Sequence, residues 1–460
     1  MRRFCLLLCL IAAASAGFGC VGFKTVNAPL EQADPSYGYR PQLGESHRDR
    51  GSNMVYLSFS GGGTRAAALA YGVMTGLRDT VIESDGETRT MLDDVDTLSG
   101  VSGGSFPAAY YGLFEDRIFE EFEPRFLRRN IQGAIVWRAV IPWNAVALMT
   151  PWLSRSDIAK NIYHKSVFDE ATFETLSEAK GPIVYINATD LSSGERFTFT
   201  QGMFDLVCSD LQSLPIAYAV AASSAVPMLL SPVSMRSRAG TCGFEMPSML
   251  EEGLRARLED PRRYRAARAF SQLHDRNSRF FHLVDGGISD NLGLRAGIDI
   301  IQAGGGLESA LEFMHVEMPD RMVVISVNAE TQPDPGINLS GASPGFAATM
   351  NAVSGGQIRR YNFETLLLTH ELLGRLEQEA REAGHPLEAF MVEVSFERLP
   401  DAEDRSYFSH IATSFKLNDE EVDDLIWVGR DLLLASPAYQ LLVADLGGTL
   451  PEREPRPTRD

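Results

Sequence analysis

The chain has 460 residues, 44% apolar and 9% aromatic, enough to bury one large α/β domain or two ordinary ones and too apolar for wholesale disorder. Its 61 acidic residues outnumber 42 basic ones, a net charge of −19. That balance excludes nucleic acid, which needs a basic surface, and broad electrostatic adhesion to anionic membranes, so any lipid contact must be local and apolar or made through a covalent anchor.

Met1-Arg2-Arg3 is followed by an uncharged apolar run, Phe4 to Ala14, and then by small residues up to Cys20. This reads as a secretory signal peptide (residues 1–19), too short for a stable membrane span. Ala14-Ser15-Ala16 fits ordinary signal peptidase. Gly17-Phe18-Gly19-Cys20 resembles a bacterial lipobox, with Gly17 where Leu is usual. The expected product is an exported lipoprotein of the bacterial cell envelope, facing the periplasm or outer membrane, with the membrane reached through a lipid anchor on Cys20. Residues 20–52 are polar, contain Pro29, Pro35 and Pro41, and read as a flexible tether. Cys5 and Cys9 leave with the signal. Cys208 and Cys242 remain, either paired in an oxidising compartment or as two buried thiols.

The catalytic body is expected over residues 53–330. Met54 to Phe59 reads as a strand and Thr64 to Leu77 as a helix; Val95 to Leu98 reads as a strand leading into a turn, and Phe106 to Leu113 as the helix after it. Pro182 to Ala188, Leu283-Val284 and Met322 to Val327 are further β-rich runs. Strands alternating with helices predict an α/β fold, a central mostly parallel sheet covered by helices on both faces. Between Ile131 and Leu153 lies an apolar stretch broken by Pro142 and Pro151 and carrying Trp137, Trp143 and Trp152. It is expected to pack in the core; the alternative is an interfacial loop that touches lipid, since Trp favours the membrane boundary. Residues 331–450 read as a mostly helical extension, with helices over Tyr361 to Glu382 and Asp419 to Leu434 and one strand over Phe390 to Phe396. The charged, Pro-rich end, 451–460, is expected to be disordered.

Three segments carry chemistry. Gly100-Val101-Ser102-Gly103-Gly104 sits between a strand and a helix, as a nucleophile elbow does. Gly100 and Gly104 free the tight turn of side-chain clashes and Ser102 is the candidate nucleophile. Ser60-Gly61-Gly62-Gly63-Thr64-Arg65 follows a strand and opens a helix, so its bare backbone N–H groups can converge on an anion. It lacks the Gly-Lys-Ser/Thr pair of a phosphate-binding loop and the glycine spacing of dinucleotide binders. An oxyanion hole is therefore the better reading, with Arg65 either shaping the loop or meeting a substrate phosphate. Asp285-Gly286-Gly287 ends an apolar run where a carboxylate can reach another loop, and Asp290 reads as a structural cap.

Together these segments resemble the patatin-like phospholipase family, whose catalytic core is shared with cytosolic phospholipase A2. Asn187-Ala188-Thr189-Asp190 with Gly194-Glu195, and Ala222-Ser223-Ser224-Ala225-Val226-Pro227, resemble two further blocks of that family in the same order. Ser60 and Ala66 depart from the commonest patatin pattern and lie closer to the cytosolic phospholipase style. The resemblance implies a three-layer sandwich and a lipid acyl hydrolase. Asp285 would accept the proton of Ser102, Gly61, Gly62, Gly63 and Arg65 would form the oxyanion site, and an acyl-Ser102 would be hydrolysed. The implied partner is a lipid substrate, and no protein partner is named by any motif. No His-Glu-x-x-His or paired-cysteine spacing occurs in the mature chain, so neither metal nor cofactor is expected.

Two rivals stand beside this reading. A Ser–Asp–His triad would recruit one of the late histidines, His315, His370, His385 or His410; His282 reads as a strand residue. A non-catalytic lipid-binding lipoprotein would keep the fold without the chemistry.

Overall fold

A computed structural model describes residues 26–41, 52–84, 86–150, 153–227, 229–333, 335–339 and 341–457. The signal peptide, Trp152 and, within the expected tether, residues 20–25 (with Cys20) and 42–51 lie outside the described residues.

The fold is α/β, built on an eight-stranded mixed sheet. Its strands are β1 (Asn53–Phe59), β2 (Thr97–Val101), β3 (Ile183–Asp190), β4 (Arg196–Thr198), β5 (Val233–Arg236), β6 (Phe280–Asp285), β7 (Arg321–Asn328) and β8 (Glu388–Ser395). The order is β8-β7-β1-β2-β3-β6-β5, with β4 also paired to β3. From β8 to β3 every pairing is parallel. At β3 the direction changes: β6 runs antiparallel to β3, β5 antiparallel to β6, and β4 antiparallel to β3.

Side-chain alternation shows why the sheet is the middle of three layers. In β7, Val323, Ile325 and Val327 belong to the larger core, whereas Met322 and Val324 belong to a second one. β1 repeats the pattern, with Val55, Leu57 and Phe59 on the first face and Met54 and Tyr56 against the second. A sheet buried on both faces produces such near-continuous apolar strands. On the first face lies α1 (Gly63–Asp79), an Ala-rich helix buried through most of its length. It can be apolar nearly all round because the sheet covers one side and α8 (Asp419–Ala435) the other. On the second face, α7 (Phe346–Glu382) contributes Leu372, Leu373 and Leu376.

Three expectations need correction, and a fourth, the strand expected beyond residue 330, is found at the edge of the sheet. Residues 26–41 are not a free tether. Ala28–Pro29 pairs with Ser209–Asp210, and the buried Tyr39 hydroxyl accepts the Val184 N–H at 2.6 Å. Residues 451–457 are not frayed. Arg456 grips the Asp424 carboxylate through two hydrogen bonds of 2.9 and 2.8 Å, and its guanidinium lies over the rings of Tyr407, Phe408 and Trp427. Beyond residue 330 the chain adds an edge strand, β8, to the main sheet as well as helices. Lastly, Trp137 and Trp143 do not pack in the core, as they are 70% and 83% exposed. Cys208 and Cys242 are joined as a disulfide.

The contact between α1 and α8 is tight at one point. A Cβ added at Gly72 would come within 2.0 Å of the Ile426 carbonyl oxygen. Backbone cannot yield as a flexible side chain does, so Gly72→Val should destabilise the protein by about 3 kcal/mol or more. Chemical denaturation against the parent checks this.

Candidate active site

The catalytic candidates come together where the sheet changes direction. β2 ends at Val101, which is level with Asn187 of β3, so Ser102 stands beside the next row. β6 reaches that row from the other side, with Asp285 opposite Ala188. β6 runs against β3 but pairs with it over only Leu283 to Asp285, so its carboxyl end stops at this row instead of running on to the far edge of the sheet. Ser102 and Asp285 thus flank β3 at one level, and the Ser102 hydroxyl donates to Asp285 Oδ2 at 2.7 Å.

Ser102 sits at φ +50°, in the left-handed region that a side chain adopts only under constraint from its surroundings. Three contacts provide that constraint. Its N–H donates to Ser223 Oγ at 2.8 Å, Ser223 Oγ donates onward to the Asn187 carbonyl at 2.6 Å, and Ser105 Oγ donates to the Ser102 carbonyl at 2.6 Å. Ser223 closes α5 (Ile216–Ser223), a helix buried along its whole length, so the brace is anchored in the core. The turn continues directly into α2 (Ser105–Phe114).

Asp285 is fixed as firmly. Its Oδ1 accepts the Gly287 N–H at 2.8 Å, its N–H donates to the Ala225 carbonyl, and its carbonyl accepts from Thr189 Oγ1 at 2.9 Å. Burial pushes its carboxyl up to about 6, and the bonds from Ser102 and Gly287, which favour the charged form, only partly oppose that rise. Asp290 is brought up to about 6 by the same cause, yet it caps the following turn, accepting the N–H groups of Gly293 and Arg295 at 3.1 and 2.8 Å.

The glycine loop lies against the nucleophile. A Cβ on Gly103 would fall 2.0 Å from the Gly63 carbonyl oxygen, so only glycine lets the two loops touch. Within the loop the four candidates divide. Gly61 donates its N–H to the Asn291 carbonyl at 3.1 Å and so is not an oxyanion donor. Arg65 is buried, with Nε donating to the Ala329 carbonyl at 3.0 Å and Nη1 to the Ile411 carbonyl at 2.5 Å; it ties the loop to its neighbours and does not face substrate. Desolvation takes its guanidinium down to about 10. The N–H groups of Gly62 and Gly63 have no hydrogen-bond partner among the described residues, which leaves them for an incoming anion. Thr64 N–H donates to the Ser414 carbonyl at 2.8 Å, fixing the segment around Ser414 over the start of α1.

No histidine joins the dyad. Among the described residues the Asp285 carboxylate is shared between Ser102 and Gly287, His282 Nδ1 bonds Ser234 Oγ, and His410 Nδ1 bonds the Ser406 carbonyl. Ser223 and Asn187 lie inside the two further family-like blocks, whose sequence assigns them no role; the signal for Ser223 is a hydroxyl closing an otherwise apolar helix. The Ser414 segment, more than 300 residues from the glycine loop in sequence, offered no local signal.

A family model for patatin-like phospholipase matches residues 57–298. No curated protein matches the chain. Solved structures that match include human GIVD cytosolic phospholipase A2, at 14% identity and a TM-score of 0.37, covering 63% of this chain and 50% of that one. The same human enzyme in complex with methyl gamma-linolenyl fluorophosphonate matches at 11% identity and a TM-score of 0.39, covering 87% of this chain and 60% of that one. The chain thus spans between half and three fifths of the length of these two structures. With the family model covering more than half of its 460 residues, the chain belongs to the patatin-like phospholipase family.

Proposed function

We propose that this protein is a lipid acyl hydrolase that cleaves fatty acyl esters through a Ser102–Asp285 dyad. The observation that carries the reading is the 2.7 Å hydrogen bond between Ser102 Oγ and Asp285 Oδ2 in a buried site. A serine hydroxyl attacks an acyl carbon only when a base takes its proton. An ordinary aspartate, near 3.9, is a poor base at neutral pH, but burial brings Asp285 to about 6, close to the range of imidazole. The proton passes from Ser102 Oγ to Asp285 Oδ2 as Oγ bonds to the ester carbon, and the N–H groups of Gly62 and Gly63 receive the oxyanion. The alcohol leaves with the proton from Asp285. Water then gives its proton to Asp285 as it attacks acyl-Ser102, and Asp285 returns that proton to Ser102 Oγ as the fatty acid leaves. The Cys208–Cys242 bond supports export to an oxidising compartment, in keeping with an envelope enzyme held through Cys20.

Asp285→Asn should lower kcat roughly a thousandfold on a p-nitrophenyl ester, the scale of a lost general base. The variant should melt no lower than the parent at pH 8. The sign follows from the raised pKa: the folded state holds the proton more tightly than the unfolded one, so ionisation of Asp285 costs stability as pH rises from 3.8 through about 6, and Asn removes that cost. A variant that is inactive because it is unfolded would fail the melting control.

Activity needs the charged carboxylate, so kcat/KM should rise with pH, reach half its maximum near 6 and then level off. A half-maximum near 4 would mean that Asp285 titrates as an exposed carboxylate and is not the buried base.

Ser223→Ala removes the brace on the Ser102 N–H and leaves that buried donor unpaired, a cost of about 1–3 kcal/mol. Steady-state kinetics should show kcat down roughly tenfold or more with KM unchanged, because the damage is to the angle of attack and not to substrate binding.

A further inference from the structure

We infer that residues 131–149 form a bilayer-docking hairpin that brings the site to a lipid surface. This rests on the lipid acyl hydrolase reading for its purpose, but its geometry stands independently. The segment folds as two short helices, α3 (Ile131–Val140) and α4 (Pro142–Ala147). One side of the pair is held by the protein: Ile131 and Ile135 are buried, and Ala134, Ala139 and Leu148 pack on the large core. The opposite side is apolar too, yet open. Val136, Trp137 and Val140 share one face of α3 at helical spacing, and Trp143 and Val146 share one face of α4, with Met149 just beyond it at 88% exposure. Helices that are apolar all round belong inside a core or against a membrane, and contiguous exposed apolar surface of this kind marks a docking site.

Charge selects the occupant. Residues 131–149 hold no Asp or Glu, in a protein with 61 acidic residues, and carry Arg138, whereas the nearby Arg125 and Arg128 are ion-paired with Asp169 and Asp423. A molecule of net charge −19 is repelled by anionic headgroups, so the occupant is a bilayer surface of zwitterionic headgroups, met at the segment that carries no acid. Two indoles projecting from this face suit the headgroup–acyl boundary, where Trp places its apolar ring and its N–H together.

The hairpin is also wired to the site. Gln132 N–H donates to the Phe415 carbonyl at 3.2 Å, and the Phe415 N–H donates to Gln132 Oε1 at 3.3 Å. The preceding residue, Ser414, accepts the Thr64 N–H and lies directly over Gly63. The start of α3 is therefore joined to the glycine loop through two consecutive residues, Ser414 and Phe415.

The test uses the full chain with Cys20→Ser in every sample, so that no acyl chain at that position contributes, and compares it with a Trp137→Ser, Trp143→Ser, Met149→Ser variant. All three side chains are exposed, so their loss leaves the fold intact, and thermal melting verifies this. Flotation with phosphatidylcholine vesicles should recover the parent with the vesicles and reduce the bound fraction of the variant roughly tenfold or more, since affinity follows the apolar area inserted. Both proteins should turn over a soluble p-nitrophenyl ester at equal rates. Equal flotation of parent and variant, or a parent that stays in the dense fraction, overturns the proposal. A parent that runs as a dimer while the variant runs as a monomer also overturns it, assigning the face to a second copy. Flotation reads binding without turnover, so loss of ester hydrolysis in a parent that still floats would contradict the catalytic reading and leave the docking surface standing.

Discussion

The hydrogen bond between Ser102 and Asp285 is the interaction on which the site depends, and it exists because the antiparallel strand β6 stops after three residues of pairing with β3. Five parallel strands would by themselves deliver only loops at their carboxyl ends. The antiparallel entry of β6 brings a carboxylate to the row where β2 has just released its serine, one on each side of β3. Ser102 is held at a positive φ by the Ser223 and Ser105 hydroxyls, and Asp285 by the Gly287 N–H and Thr189. Neither partner has to search for the other, so the geometry for proton transfer is set before any substrate arrives.

The same packing sets the base strength. The carboxylate is enclosed on the core side of the site with few donors, so desolvation outweighs its two hydrogen bonds. Burial brings the acid to about 6. The cost is a buried carboxylate that the fold must tolerate above that pH, which the surrounding layers can carry. Part of that support comes from the end of the chain, where α8 clamps α1, whose amino end is the oxyanion loop.

The strands and the turns that carry Ser102 and Asp285 were legible because their signals are local. Apolar runs ending in Gly-rich turns mark where a buried strand stops and a side chain can be displayed. β1 begins one residue before its predicted start, and β7 extends one residue beyond its prediction at each end. What was not legible depends on distant contacts. Gly61 and Gly63 look alike in sequence, and only the Asn291 carbonyl, far along the chain, takes Gly61 out of the oxyanion set. Arg65 faces inward because Ala329 and Ile411 offer carbonyls there. α7 begins at Phe346, well before its expected start at Tyr361, because its first turns lack the apolar period that sheet contact imposes further on. The Trp-bearing segment misled for the opposite reason. Apolar composition normally means burial, and only the fold reveals that one of its two apolar faces is exposed among the described residues.

The most direct measurement is a peptide map of the protein after reaction with a fluorophosphonate ester, made on the parent and on an Asp285→Asn variant of verified fold. A phosphonyl group on the peptide containing Ser102 in the parent, and its absence from that peptide in the variant, is the predicted result. A label on any other residue, or undiminished labelling of Ser102 without the carboxylate, would contradict the claim that this pair is the catalytic unit.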